Sequence, residues 1–81
     1  MNTHTAVPAN QPQVLRDANG PAIRLPLDGS LGLEAMDRAI IEAVLIRLHY
    51  NVAATARALK TTRDTLRYRI RKYGIRVEGE D

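Results

Sequence analysis

Apolar residues recur along the chain in three blocks of different character. Leu33, Met36, Ile40, Val44 and Leu48 follow the three- and four-residue spacing of one helical face. Ile41 and Leu45 draw a second stripe beside the first, widened by Ala43 and Ile46. This predicts a first helix over Leu33–Leu48, with Ser30 as its N-cap and Glu34 and Asp37 in its early turns, where the helix dipole favours anions. A second, short helix is expected from Val52 to Leu59, capped by Asn51. Its alanines, Ala53, Ala54, Ala56 and Ala58, allow a close helix crossing. A third helix is expected from Arg63 to Tyr73. Thr62 is its N-cap, Leu66, Ile70 and Tyr73 its inward spine, and Gly74 its left-handed stop, with Ile75 folding back on the last turn.

The rest of the chain carries weaker patterns. Met1–Pro12 is polar, holds Pro8 and Pro12, and reads as disordered. Asn19-Gly20 between Val14-Leu15 and Ile23–Leu25 is a hairpin signal. Pro21 follows the turn at once, however, and a lone two-stranded ribbon is marginal in water. Pro26, Gly29 and Gly32 exclude a helix before Leu31, and the acidic end, Glu78–Asp81, is expected to fray. The division that follows is a disordered or weakly structured segment, residues 1–27, and a helical domain, residues 28–81. The expected fold class is all-α: a short helical domain ending in a helix-turn-helix and forming an intertwined or helix-packed homodimer.

Charge sharpens this picture. Between Tyr50 and Arg76, the bases Arg57, Lys60, Arg63, Arg67, Arg69, Arg71, Lys72 and Arg76 stand against Asp64 alone. The first 49 residues are close to balanced. A positive field confined to one end is the footprint of a surface that binds a polyanion. The third helix turns Arg63, Asp64, Arg67, Tyr68 and Arg71 outward, with Arg69 and Lys72 on its flanks, so that bases can meet both phosphate walls of a major groove.

The run Thr61–Ile75, Thr-Thr-Arg-Asp-Thr-Leu-Arg-Tyr-Arg-Ile-Arg-Lys-Tyr-Gly-Ile, resembles the recognition helix of the Fis family. Asn51–Leu59 is similar to that family's bracing helix, and Asp37–Leu45 to its upstream dimer helix. The same module ends enhancer-binding activators of the NtrC type. The resemblance spans about 50 residues, Pro26 to Ile75. It implies that Arg63, following the Thr62 cap, reads guanine, and that Tyr68 stands where a base-contacting lysine or arginine is common. It implies phosphate contacts from Thr65, Arg67, Arg69 and Arg71, and from Asn51 at the start of the second helix. Thr62, Asp64 and Lys72 complete the expected DNA-binding set. The chain departs from the family pattern at Lys60-Thr61, where glycine and an apolar residue are usual, and at Tyr50, where glycine is usual. It departs again at Asp37, in place of glutamate. A lysine held in a left-handed conformation costs about a kcal/mol more than glycine.

Two adjoining apolar faces on the first helix exceed what a domain this small can cover. The surplus places Leu33, Met36, Ile40, Ile41, Val44, Leu45 and Leu48 in an expected homodimer seam. The expected function is sequence-specific binding of double-stranded DNA by a dimer that regulates transcription, with RNA polymerase or other transcription proteins as further candidate partners. One alternative is a nucleoid-like DNA-bending protein with little sequence preference. Another is a protein-interaction module built on the apolar helix 33–48. RNA binding is disfavoured, because the three aromatics are all tyrosine and form no stacking platform.

An enzyme is not expected: no nucleophile–base pair or phosphate-cradling glycine loop is present. No cofactor or metal is expected either, since the chain has no cysteine and its two histidines, His4 and His49, lie far apart in sequence. No apolar run approaches the ~20 residues of a membrane span, and no secretory signal opens the chain, so a cytoplasmic, nucleoid-associated location and no membrane partner are expected. The start Met1-Asn-Thr-His-Thr favours a complete small protein over an excised domain.

Overall fold

The computed structural model of the chain describes residues 11–77. The expectation of disorder over Met1–Pro12 lies outside them except at Gln11 and Pro12, and the expectation of fraying over residues 78–81 lies outside them altogether. A β-hairpin, β1 (Gln13–Asp17) and β2 (Gly20–Arg24), precedes three helices, α1 (Leu33–Arg47), α2 (Val52–Ala58) and α3 (Arg63–Tyr73).

The hairpin corrects the expected all-α class. β1 and β2 pair antiparallel from Gln13↔Arg24 to Asp17↔Gly20. The reversal is displaced by one residue from the Asn19-Gly20 signal. Ala18 and Asn19 form the turn without positive φ, Gly20 carries the left-handed conformation at φ 112°, and the Asn19 N–H donates to Asp17 Oδ1 at 2.8 Å. Pro21 is no obstacle, because proline is tolerated on edge strands and both strands of a two-stranded ribbon are edges. Val14, Pro21, Ala22 and Ile23 form one wall of an apolar groove of about 280 Å³. Ile40, Ala43, Val44 and Ile46 of α1 form the other. The hairpin therefore lies beside an apolar face of α1.

The three helices enclose one core. α1 contributes Ile41 and Leu45, α2 contributes Val52, Thr55 and Ala56, α3 contributes Leu66 and Ile70, and Ile75 closes it from beyond α3. Leu45 is 0% and Leu66 1% exposed. The stripe of α1 that faces its own chain is thus Ile41 and Leu45, which removes both from the expected dimer seam. The other stripe is left open, with Leu33 82% exposed. Of the α2 alanines only Ala56 is buried, and Thr55 is as deeply enclosed, its Oγ1 lacking a hydrogen-bond partner among the described residues.

Local chemistry sets the helix ends. Asn51 Oδ1 accepts from the Ala54 N–H at 2.9 Å and starts α2. Thr62 Oγ1 accepts from the Thr65 N–H at 3.1 Å and starts α3. Ser30 does not cap α1. Gly32 holds that place without a side-chain bond, while the Ser30 N–H and hydroxyl both donate to Asp28 Oδ1. That contact, the hydroxyl first, holds the exposed Asp28 carboxyl below its ordinary pKa. At their C-termini all three helices close alike, with the residue after the left-handed one reaching back five residues. Tyr50 N–H donates to Leu45 O (2.6 Å), Thr61 N–H to Ala56 O (2.9 Å) and Ile75 N–H to Ile70 O (2.9 Å). The left-handed residue of this motif is Gly74 (φ 67°) after α3 but Lys60 (φ 57°) after α2 and His49 (φ 56°) after α1. His49 therefore sits just past α1.

Candidate nucleic-acid interface

The interface is built on α3. Leu66 and Ile70 bury its inner side and half-buried Tyr73 packs against the core, which fixes the rotation of the helix. At 3.6 residues per turn the opposite side then carries Asp64, Tyr68 and Arg71, and the flank beside Ile70 carries Arg63 and Arg67. Tyr68 is 58% exposed, a large aromatic turned to solvent. Thr62 and Thr65 sit exposed at the helix start, joined by a hydroxyl–hydroxyl bond of 2.9 Å in addition to the cap. Arg63 follows the cap directly, is exposed, and makes no ion pair among the described residues. Arg71 is exposed in the last turn, and Arg67 is half-buried between them. Asn51 lies exposed at the start of α2 with its side-chain oxygen engaged in the cap.

The other flank of α3 faces α1, and there its side chains meet carboxylates. Arg69 Nη1 donates to Asp37 Oδ2, and the Tyr73 hydroxyl donates to the same oxygen. Lys72 Nζ stands 3.1 Å from Glu34 Oε2 and 5.8 Å from the centre of the Tyr73 ring. The hydrogen bond to Asp37 raises the Arg69 guanidinium pKa above its ordinary value, and the bond to Glu34 does the same for the Lys72 ammonium. The Tyr73 phenol is also pushed up, first by its bond to Asp37 and then by desolvation. Arg69 and Lys72, expected among the DNA-contacting bases, pair with carboxylates of α1. Reasoning from the sequence placed Glu34 and Asp37 on the helix start as dipole partners and did not pair them with Lys72 and Arg69. It also treated Tyr73 only as core. Arg69 and Asp37 are 32 residues apart, and no local spacing signals that pairing.

Local geometry at the turn matches a helix-turn-helix in which α2 braces α3. Lys60 and Thr61 take the tight left-handed reversal between them, with Lys60 N–H donating to Arg57 O at 3.1 Å. Among the described residues no group of histidine, aspartate or glutamate is arranged to hold a metal ion, and no helix is long and apolar enough to cross a membrane.

No curated protein and no solved structure matched the chain. The family model described as bacterial regulatory protein, Fis family, matches residues 32–73, a span that runs from the cap of α1 to the last residue of α3 and leaves out the hairpin. Over that span, more than half of its length, the chain belongs to the Fis family of bacterial regulatory proteins, and α2 and α3 are its DNA-binding helix-turn-helix.

Proposed function

We propose that the protein binds double-stranded DNA as a homodimer, reads base sequence with α3 and regulates transcription. The observation that carries this reading is the basic side of α3 turned away from α1. Arg63 stands directly after the Thr62 cap, where the first residues of a recognition helix reach base edges. A guanidinium there can bond guanine O6 and N7 together. Arg67 and Arg71 follow at intervals of four along the helix, at positions suited to the phosphate wall.

Dimerisation is supported by the stripe of α1 that the core leaves open. Leu33 is largely exposed, and Met36, Ile40, Val44 and Leu48 are half-buried. An apolar strip of this length on one helix suits a self-complementary two-fold contact. Two copies related in this way present two recognition helices to successive major grooves, on a pseudo-palindromic site. If the helices stand closer than one turn of DNA, the duplex must bend to meet both. Action on DNA puts the protein with the nucleoid in the cytoplasm, and RNA polymerase or other transcription proteins would be its partners there.

The reading is tested by titrating the purified chain against duplexes of differing sequence in rising salt while its mass is followed by sedimentation. A dimer whose affinity falls linearly in log–log form with salt and differs between sequences is the expected result. A monomer, or an affinity equal for all sequences, refutes the corresponding part.

A further inference from the structure

We propose that Asp37 is a positioning residue for DNA binding: it ties the α1-facing flank of α3 to α1 and withholds the Arg69 guanidinium from the phosphate backbone. The inference rests on the DNA-binding reading above and adds to it a residue outside the recognition helix. Asp37 Oδ2 receives two donors from α3, Arg69 Nη1 and the Tyr73 hydroxyl, which lie one helical turn apart. Two donors from successive turns converging on one oxygen fix both the rotation of α3 and its distance from α1, as a single exposed pair does not. The Asp37 side chain is 26% exposed, and the neighbouring Glu34, which pairs with Lys72, is 70% exposed. The Glu34 pair is therefore open to solvent and salt, where such contacts weigh little, and Asp37 is the anchor. With Arg69 spent on Asp37, Arg63 and Arg71 lie on the opposite flank and the outer side of α3. Contact with DNA is thereby biased to one flank of the recognition helix.

The test compares the full chain with Asp37→Asn, a substitution of equal size on a partly exposed surface, using one fixed duplex from about 50 to about 200 mM salt. Each phosphate neutralised adds about 0.9 to the slope of log affinity against log salt. Release of Arg69 therefore steepens the slope by about 0.9 per bound protomer, so that affinity falls about 3–4-fold more per protomer across that range. Asp37→Glu, which keeps the charge, restores the parent slope. In Asp37→Asn the Tyr73 phenol, followed by ultraviolet absorbance against a Tyr73→Phe reference, ionises at lower pH than in the parent. A slope identical in parent and Asp37→Asn overturns the inference, as does a slope that becomes shallower by about 0.9 in Arg69→Gln, which would return Arg69 to the phosphate contacts. If the parent binds no duplex at all, it is the proposed function that fails. Tyr73 ionisation then judges the contact by itself, and an unmoved midpoint in Asp37→Asn overturns it.

Discussion

The turn of the helix-turn-helix stores strain that one substitution should release. Lys60 holds φ 57° at the position where α2 ends, and the equivalent place after α3 is filled by Gly74 at φ 67°. A side chain in the left-handed region costs roughly 1–2 kcal/mol. Replacing it with glycine removes that cost but loosens the unfolded chain by about 0.4–1 kcal/mol. The Lys60 side chain is exposed and has no ion pair among the described residues, so nothing else is lost. Lys60→Gly should therefore stabilise the fold by about 0.5–1 kcal/mol, a rise in melting temperature of about 2–8 °C for a domain of this size. Thermal unfolding followed by circular dichroism, at one protomer concentration throughout, reads the shift directly. Gly74→Ala is the reciprocal experiment. The space around Gly74 is open, so only the backbone opposes the added methyl, and the loss should be about 1 kcal/mol. Tyr50, also left-handed at φ 64°, should gain nothing from glycine, because its ring packs against the core. A Lys60→Gly variant as stable as the parent, or less stable, would refute the assignment of strain to this turn.

Three further outcomes follow from the same geometry. Arg63→Ala should weaken binding to a preferred site by ~1–3 kcal/mol and flatten preference at one base pair per half-site, whereas Arg71→Ala should weaken all duplexes alike and lower the salt slope by about 0.9 per protomer. Binding isotherms on matched and mismatched duplexes separate the two, and an unchanged preference in Arg63→Ala would remove its base-reading role. Val44→Glu, on the open stripe of α1, should yield a folded monomer by sedimentation, whereas Ile41→Glu, 2% exposed in the core, should unfold the chain. A dimeric Val44→Glu would place the seam elsewhere. Thr55→Val should stabilise the fold by about 1 kcal/mol in urea titration, because it removes a buried hydroxyl that lacks a partner among the described residues. A destabilised variant would mean that the hydroxyl is satisfied in solution.

What the sequence made legible was local. Thr62, Gly74 and Ile75 announce the start and stop of α3 because caps act within a few residues of the helix they bound, and Asn51 does the same for α2. The buried side of α1 was not legible. Ile41–Leu45 and Ile40–Val44 have the same four-residue spacing and the same chemistry, so periodicity shows two faces without saying which one meets α2 and α3. Only the tertiary packing resolves that, and it gives Ile41 and Leu45 to the core. The hairpin was discounted because Pro21 reads as a strand breaker, a rule that weakens where both strands are edges. At the interface the outward side of α3 could be read from helical geometry and charge. The capture of Arg69 by Asp37 and of Lys72 by Glu34 could not, since it depends on how α1 crosses α3.

Whether α3 reads base sequence from within a two-fold dimer is decided by selection from a pool of random duplexes at two salt concentrations, with the bound fraction sequenced. The expected result is an enriched, two-fold-symmetric motif that persists at the higher salt while total binding falls. Salt-sensitive binding with no enriched motif would contradict sequence reading, and the absence of duplex binding at either salt would contradict DNA binding altogether.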